Sequence, residues 1–86
     1  DKPNSPELER LMEQRKNYLF KAGDSPIAPA QGEEKYHLGA AAPILSQGDL
    51  MGSVLLLLGE QDQPLEPGDQ ALARAVAGFL GKQMES

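Results

Sequence analysis

Few side chains in this sequence have the type and spacing to do chemistry. His37 is the lone histidine, there is no cysteine, and tryptophan is also missing. A general base needs an orienting partner, and no residue close to His37 in the sequence suggests an acid, base or nucleophile role for it. Without cysteine, disulfides, thiolate metal sites and thiol redox chemistry are excluded, and one histidine cannot build a zinc site unaided. The adjacent carboxylates Glu33 and Glu34 precede an apolar segment on a polar loop, where solvation is the simpler reading than general acid–base work. Tyr36, His37 and Ser53 are the few polar groups on the apolar segments themselves. No catalytic constellation emerges, and neither an enzyme nor a cofactor is expected.

Charge narrows the function classes further. The chain has 86 residues and a formal net charge of −5. Residues 1–21 carry five Lys/Arg against four Asp/Glu, whereas residues 22–86 carry three against nine, so the acid is concentrated in the body. Such a body repels phosphate backbones, so direct nucleic-acid contact by this chain is not expected. The longest apolar run, Val54 to Leu58, is too short to span a bilayer, and no basic-then-apolar leader opens the sequence. A cytoplasmic location is the expectation. One domain at most fits this length, and a domain this small buries only about 60–65% of the surface it exposes unfolded, which makes a stabilising partner plausible.

The elements that position these residues follow from period and punctuation. Asp1 to Asn4 read as a frayed lead-in. Ser5-Pro6-Glu7 has the chemistry of a helix start, with a capping hydroxyl, Pro at the first helical position and an acid near the positive end of the dipole. Leu8, Leu11, Met12 and Leu19, with Arg15, predict a narrow apolar stripe, and Tyr18 to Phe20 fit either its last turn or a short extended segment. Residues 23–34 form a loop rich in Gly, Pro and Ser, read as a mobile connection or as a lid over a small-molecule pocket. From Tyr36 the pattern alternates: Tyr36, Leu38, Ala40, Ala42 and Ile44 on one face of a strand, His37, Gly39, Ala41 and Pro43 on the other. Gly48-Asp49 supplies a turn. Val54 to Leu58 is apolar on both faces, so the second strand of this organising hairpin is expected to be covered on both sides.

A final helix is predicted from about Pro67 to Met84. Leu72, Ala75, Val76, Phe79, Leu80 and Met84 keep helical spacing and form the clearest apolar stripe. A second set, Ala73, Ala77 and Gly81, recurs every four residues. Two glycines inside a helix cost on the order of 1 kcal/mol each, so the small set asks for a packing reason. Close approach to the sheet is one reading, and a symmetric helix-to-helix contact between copies is the other. The fold class is therefore α+β, an antiparallel hairpin flanked by an N-terminal and a C-terminal helix.

Several short segments carry a resemblance. Gly78-Phe79-Leu80-Gly81-Lys82-Gln83-Met84-Glu85 closes a small-residue helix, and Pro43-Ile44, Gly48-Asp49 and Gly52-Ser53-Val54 precede it in order. With Leu8-Glu9-Arg10 and Met12 to Arg15, this series resembles the C-terminal region of the stage V sporulation protein T family of transcription regulators, over residues 5–86 with a divergent loop at 22–34. That family joins an AbrB-type DNA-binding domain to a sensory domain of the GAF type that holds the oligomer together through helices. The resemblance implies that residues 1–86 are a single GAF-like regulatory domain, truncated at its start, and that no DNA-binding domain lies in this chain. It also implies a homo-oligomer, dimer or tetramer, and an unidentified small-molecule ligand. The candidate ligand pocket is Ile27, Tyr36, Leu38 and Ser53, between the loop and the sheet. The candidate oligomer interface is Ala73, Ala77, Phe79 and Gly81. A ligand-free dimerisation module is the alternative function. A methionine sulfoxide reductase on a GAF fold would need cysteines that this chain lacks.

Overall fold

A computed structural model describes residues 3–85; Asp1, Lys2 and Ser86 lie outside the described residues. The order of elements is α1 (Pro6–Glu13), β1 (Tyr18–Leu19), β2 (Tyr36–Ser46), β3 (Asp49–Gly59) and α2 (Pro67–Gln83). The strands make one antiparallel sheet in the order β1-β2-β3. The fold is α+β, with the helices flanking the sheet.

Helix α1 begins as its sequence dictates. The Ser5 hydroxyl accepts a hydrogen bond from the Leu8 amide at 3.1 Å, Pro6 occupies the first turn, and Glu7 and Glu9 stand near the positive end of the dipole. Leu8 and Met12 are buried and Leu11 is half-buried. The helix is shorter than its stripe suggested. It ends at Glu13, Arg15 takes a left-handed backbone conformation (φ 55°), and Leu19 belongs to β1. The lead-in and the loop also differ from the mobile segments expected of them. Asn4 bridges to Ala30, the Gln31 amide donates to the Pro3 carbonyl at 2.9 Å, and the Leu38 amide donates to the Ile27 carbonyl at 2.8 Å. Each segment holds the other.

Two-residue turn chemistry sets the hairpin. Gln47 (φ 54°) and Gly48 (φ 85°) both lie in the left-handed region, the pairing that a type I′ turn requires and that matches the twist of the flanking strands. Register shifts occur at Leu38/Ala40 and at Ile44/Leu45. The first of these breaks the simple alternation read along β2. Leu38 and Ala41 pack with α1 on one face, whereas Ala42 and Ile44 pack with α2 on the other. Pro43 sits in the central strand, but β1 pairs only with Ala40 and Ala41 and does not reach it. The strand covered on both faces is thus β2, whose residues Leu38 to Ala42 are all buried. The expectation for Val54 to Leu58 holds in part: Leu55 packs on the cluster at the α1 face and Val54 and Leu56 on the cluster at the α2 face, whereas Leu57 is 46% exposed on what is an edge strand among the described residues.

Helix α2 decides between the two stripes. Its N-terminus is fixed by the Glu66 amide donating to the Asp69 carboxylate at 3.0 Å. Ala73, Ala77 and Gly81 face the sheet and are buried, while Leu72, Val76, Phe79 and Met84 are exposed. The reason is distance. The sheet offers Ala42 at the contact, a Cβ on Gly81 would run into the Leu45 carbonyl oxygen, and only a small helix face fits that close. The oligomer-interface expectation is corrected for three of its four residues: Ala73, Ala77 and Gly81 are covered by the chain's own sheet, and Phe79 alone points outward.

Opposite outcomes are expected for the two helix glycines. Gly81→Ala forces a Cβ against main chain and should lower unfolding stability by about 2 kcal/mol. Gly78→Ala meets nothing within 4 Å and should raise stability by up to about 1 kcal/mol through helix propensity. Urea denaturation of both variants measures the pair, and equal effects would refute the packing assigned to Gly81.

Candidate functional site

Two clefts border the segments that the sequence marks as a ligand pocket. The larger, about 460 Å³, lies where the loop enters β2 and is lined by Pro26, Ala28, Glu33 to His37 and Glu60. Tyr36 is 41% exposed there, with the Lys35 ammonium 5.5 Å from its ring centroid. Glu33 is not a free acid at this place. Its carboxylate accepts hydrogen bonds from the Lys35 amide at 2.8 Å and the Tyr36 amide at 3.2 Å, and so turns the chain into the strand. The smaller cleft, about 240 Å³, lies between α1 and β3 and is lined by Asn4, Glu9, Met12, Glu13, Leu50, Gly52 and Ser53.

The four expected pocket residues do not share one cavity. Tyr36 borders the larger cleft and Ser53 the smaller. Leu38 is fully buried and Ile27 packs against the same cluster as Leu8 and Met12. The sequence groups the four between the loop and the sheet, but Ser53 pairs with Pro43, seven positions along β2 from Tyr36, and Leu38 is buried in the core between α1 and the sheet. Ile27 and Leu38 instead hold the loop on the sheet through their apolar contact and the backbone bond between them.

His37 stands against Phe20 in an edge arrangement, with ring centroids 4.8 Å apart, and its Nε2 is buried without a hydrogen-bond partner among the described residues. No acid orients it, so the geometry adds no base or nucleophile. Among the described residues no group of three His, Asp or Glu side chains is placed to hold a metal ion. No helix among them is long and apolar enough to cross a membrane. The Tyr18 hydroxyl is likewise buried without a partner among the described residues, and its pKa is raised by desolvation and, to a lesser degree, by the charge of Asp24.

What the arrangement does offer is surface. On α2 the exposed Leu72, Val76 and Phe79 lie about a turn apart, and Met84 is exposed just past the helix end. The periodicity was legible in the sequence, but its direction was not. Of the run Ala40 to Ala42, Ala42 packs with Ala73 and Ala77, a small group against a small helix face. Arg15 is the residue whose placement sequence reasoning missed. It lies beyond the helix, and its Nε donates to the Gly48 carbonyl at 3.1 Å across 33 positions of chain.

The model of the family described as stage V sporulation protein T C-terminal, transcription factor, matches residues 1–85. The chain belongs to this family. A search of curated proteins finds no match. Membership of the stage V sporulation protein T C-terminal family makes this a transcription-factor domain with a regulatory role, linked to sporulation, and the family is not one of enzymes. The matched span takes in α1, the hairpin and the whole of α2, so the exposed helix stripe and both clefts belong to the family domain.

A pH dependence follows from Tyr18. Its pKa is raised in the folded chain from an ordinary 10.0, so the native state holds the proton more tightly than the unfolded state. The stability it contributes is complete below pH 10 and is lost as pH rises through the raised value. Tyr18→Phe removes a buried hydroxyl without a partner and keeps the ring, so it should leave stability at neutral pH unchanged or slightly higher. Denaturation at about pH 8 and about pH 11 should show a smaller alkaline loss in Tyr18→Phe than in the parent. An identical loss in both would remove Tyr18 as its source.

Proposed function

We propose that this chain is the ligand-sensing and oligomerising domain of a sporulation-type transcription regulator in the cytoplasm, and that it controls DNA binding by a separate AbrB-like domain. In this reading the domain is GAF-like, and the second partner of α2 is another copy of the same chain. The observation that carries the reading is the outer face of α2. Leu72 is 60% exposed, Val76 40% and Phe79 62%, an apolar stripe on the helix whose inner face is already satisfied. Monomeric soluble domains rarely leave such a stripe open. A two-fold contact between two such helices covers it symmetrically, since the same residues serve both sides.

The small cleft between α1 and β3 suits the sensing role, because it joins apolar Met12 and Leu50 to the polar groups of Ser53, Glu9 and Glu13. A ligand there acts on the oligomer only if it prefers one arrangement of subunits over another, since equal affinity for both shifts nothing. The acidic body fits a division of labour in which another domain meets the DNA. One observation favours the alternative of a ligand-free dimerisation module: Tyr36 and Ser53 border separate clefts, so no single enclosed pocket gathers the polar groups.

Light scattering over a range of concentrations tests the helix contact. The chain should run as a dimer or tetramer, and Phe79→Glu should weaken association by about 30-fold or more, as expected for loss of a central aromatic anchor. Phe79 is exposed in the single chain, so the variant should keep its fold. A monomeric parent, or an unchanged mass in Phe79→Glu, would refute the assignment.

A further inference from the structure

A third cleft, about 250 Å³, lies where the part of β2 that β1 does not reach meets α2. Arg15, Asn17 and Arg74 line it over a floor that includes Pro43 and Ala77, with Gly78 at its rim. Among the described residues no carboxylate lines this cleft, although the chain carries 13 Asp and Glu residues and a net charge of −5. The local charge is the reverse of the global one.

Among the described residues neither arginine has a carboxylate as a hydrogen-bond partner. Two of the five N–H donors of the Arg15 guanidinium go to main-chain carbonyls, Nε to Gly48 at 3.1 Å and Nη1 to Glu13 at 2.9 Å. Those bonds orient the group without cancelling its charge. Arg74 has Gln70 and Gly78 four residues away and Ala71 and Ala77 three away, so no acid on its own helix faces it. Two like charges sharing one cleft repel each other, and a bridging anion turns that repulsion into attraction. Gly78 adds an independent observation. It stands inside α2, where glycine is disfavoured by about 1 kcal/mol, yet a Cβ there would meet nothing within 4 Å. Unlike Gly81, it has no packing reason. Its missing side chain leaves the mouth of the arginine cleft open.

We propose that this cleft binds an oxyanion, the phosphate or carboxylate group of a compact small molecule, held between the guanidinium groups of Arg15 and Arg74 with the Asn17 amide as a third donor. Planar guanidinium forks match the paired oxygens of either group. The apolar floor takes the carbon part of the ligand. The site is separate from the clefts that border Tyr36 and Ser53, and it does not rest on the sensing role assigned to them.

The test is an NMR titration of the labelled chain with inorganic phosphate and, in a parallel arm, with citrate, both at constant ionic strength. Saturable shifts are expected at the Arg15 and Arg74 Nε–H signals and at the Gly78 and Asn17 amides. The arm that saturates at lower concentration identifies the preferred group. Arg74→Gln should weaken binding about tenfold or more. Gly78→Leu, which leaves both charges in place and favours the helix, should block it. Lys82→Gln, a cation outside the cleft, should bind as the parent does. Absence of saturable shifts with both anions would overturn the proposal, as would equal affinity in the parent and Arg74→Gln.

Discussion

Everything in this domain depends on how closely α2 lies on the sheet. Gly81 has no room for a side chain against the Leu45 carbonyl, and Ala73 and Ala77 are buried beside Ala42 and Ile44. A close contact of small groups excludes water from main chain as well as from side chains, and dense packing makes up in dispersion what each alanine lacks in apolar area. The same geometry has a consequence on the far side of the helix. With the small residues turned inward, the large ones at 72, 76 and 79 have nowhere to point but solvent. The outward stripe is therefore the other half of the inward fit.

The tip of the hairpin is where the two helices meet the same few atoms. Arg15, just past the end of α1, donates to the Gly48 carbonyl, and the Gln47 amide donates to the Glu85 carboxylate past the end of α2 at 3.4 Å. Both contacts are long-range, and both fall on the two residues whose left-handed conformations make the turn. Arg15 is itself left-handed, a conformation that non-glycine residues adopt at some cost, and its two bonds to carbonyls hold it there. α1, hairpin and α2 are thus joined at one end of the molecule by polar contacts, and through the body by two apolar clusters on opposite faces of β2.

For a domain with a regulatory role in transcription, this division is useful. One face of the sheet, with α1 and the pinned loop, holds the small cleft that reaches Ser53. The other face, with α2, presents the apolar stripe, and the arginine cleft opens between α2 and the β2 segment beyond β1. β2 is shared by both, and its fully buried middle leaves little slack between them. Packed interiors of this kind transmit a displacement rather than absorb it, so a change on one face bears on the other through Ala41 and Ala42, adjacent residues that belong to different clusters.

Local structure was legible in the sequence wherever it rests on neighbours in the chain. The Ser5-Pro6 helix start, the Gly48 turn, the two long strands and the extent of α2 all follow from capping, turn chemistry and period, which act over a few residues. The lack of cysteine and the lone histidine were equally plain, because they are matters of composition. The tertiary structure alone decided which stripe of α2 faces inward, since both stripes have helical spacing and only the depth of the opposing sheet distinguishes them. It alone set Tyr36 and Ser53 apart, because the strand pairing puts Ser53 opposite Pro43, seven positions along β2 from Tyr36. It alone brought Arg15 and Arg74 to one cleft, 59 positions apart. Interactions that close within a turn are encoded locally, whereas those that depend on which surfaces meet are settled only when the whole chain packs.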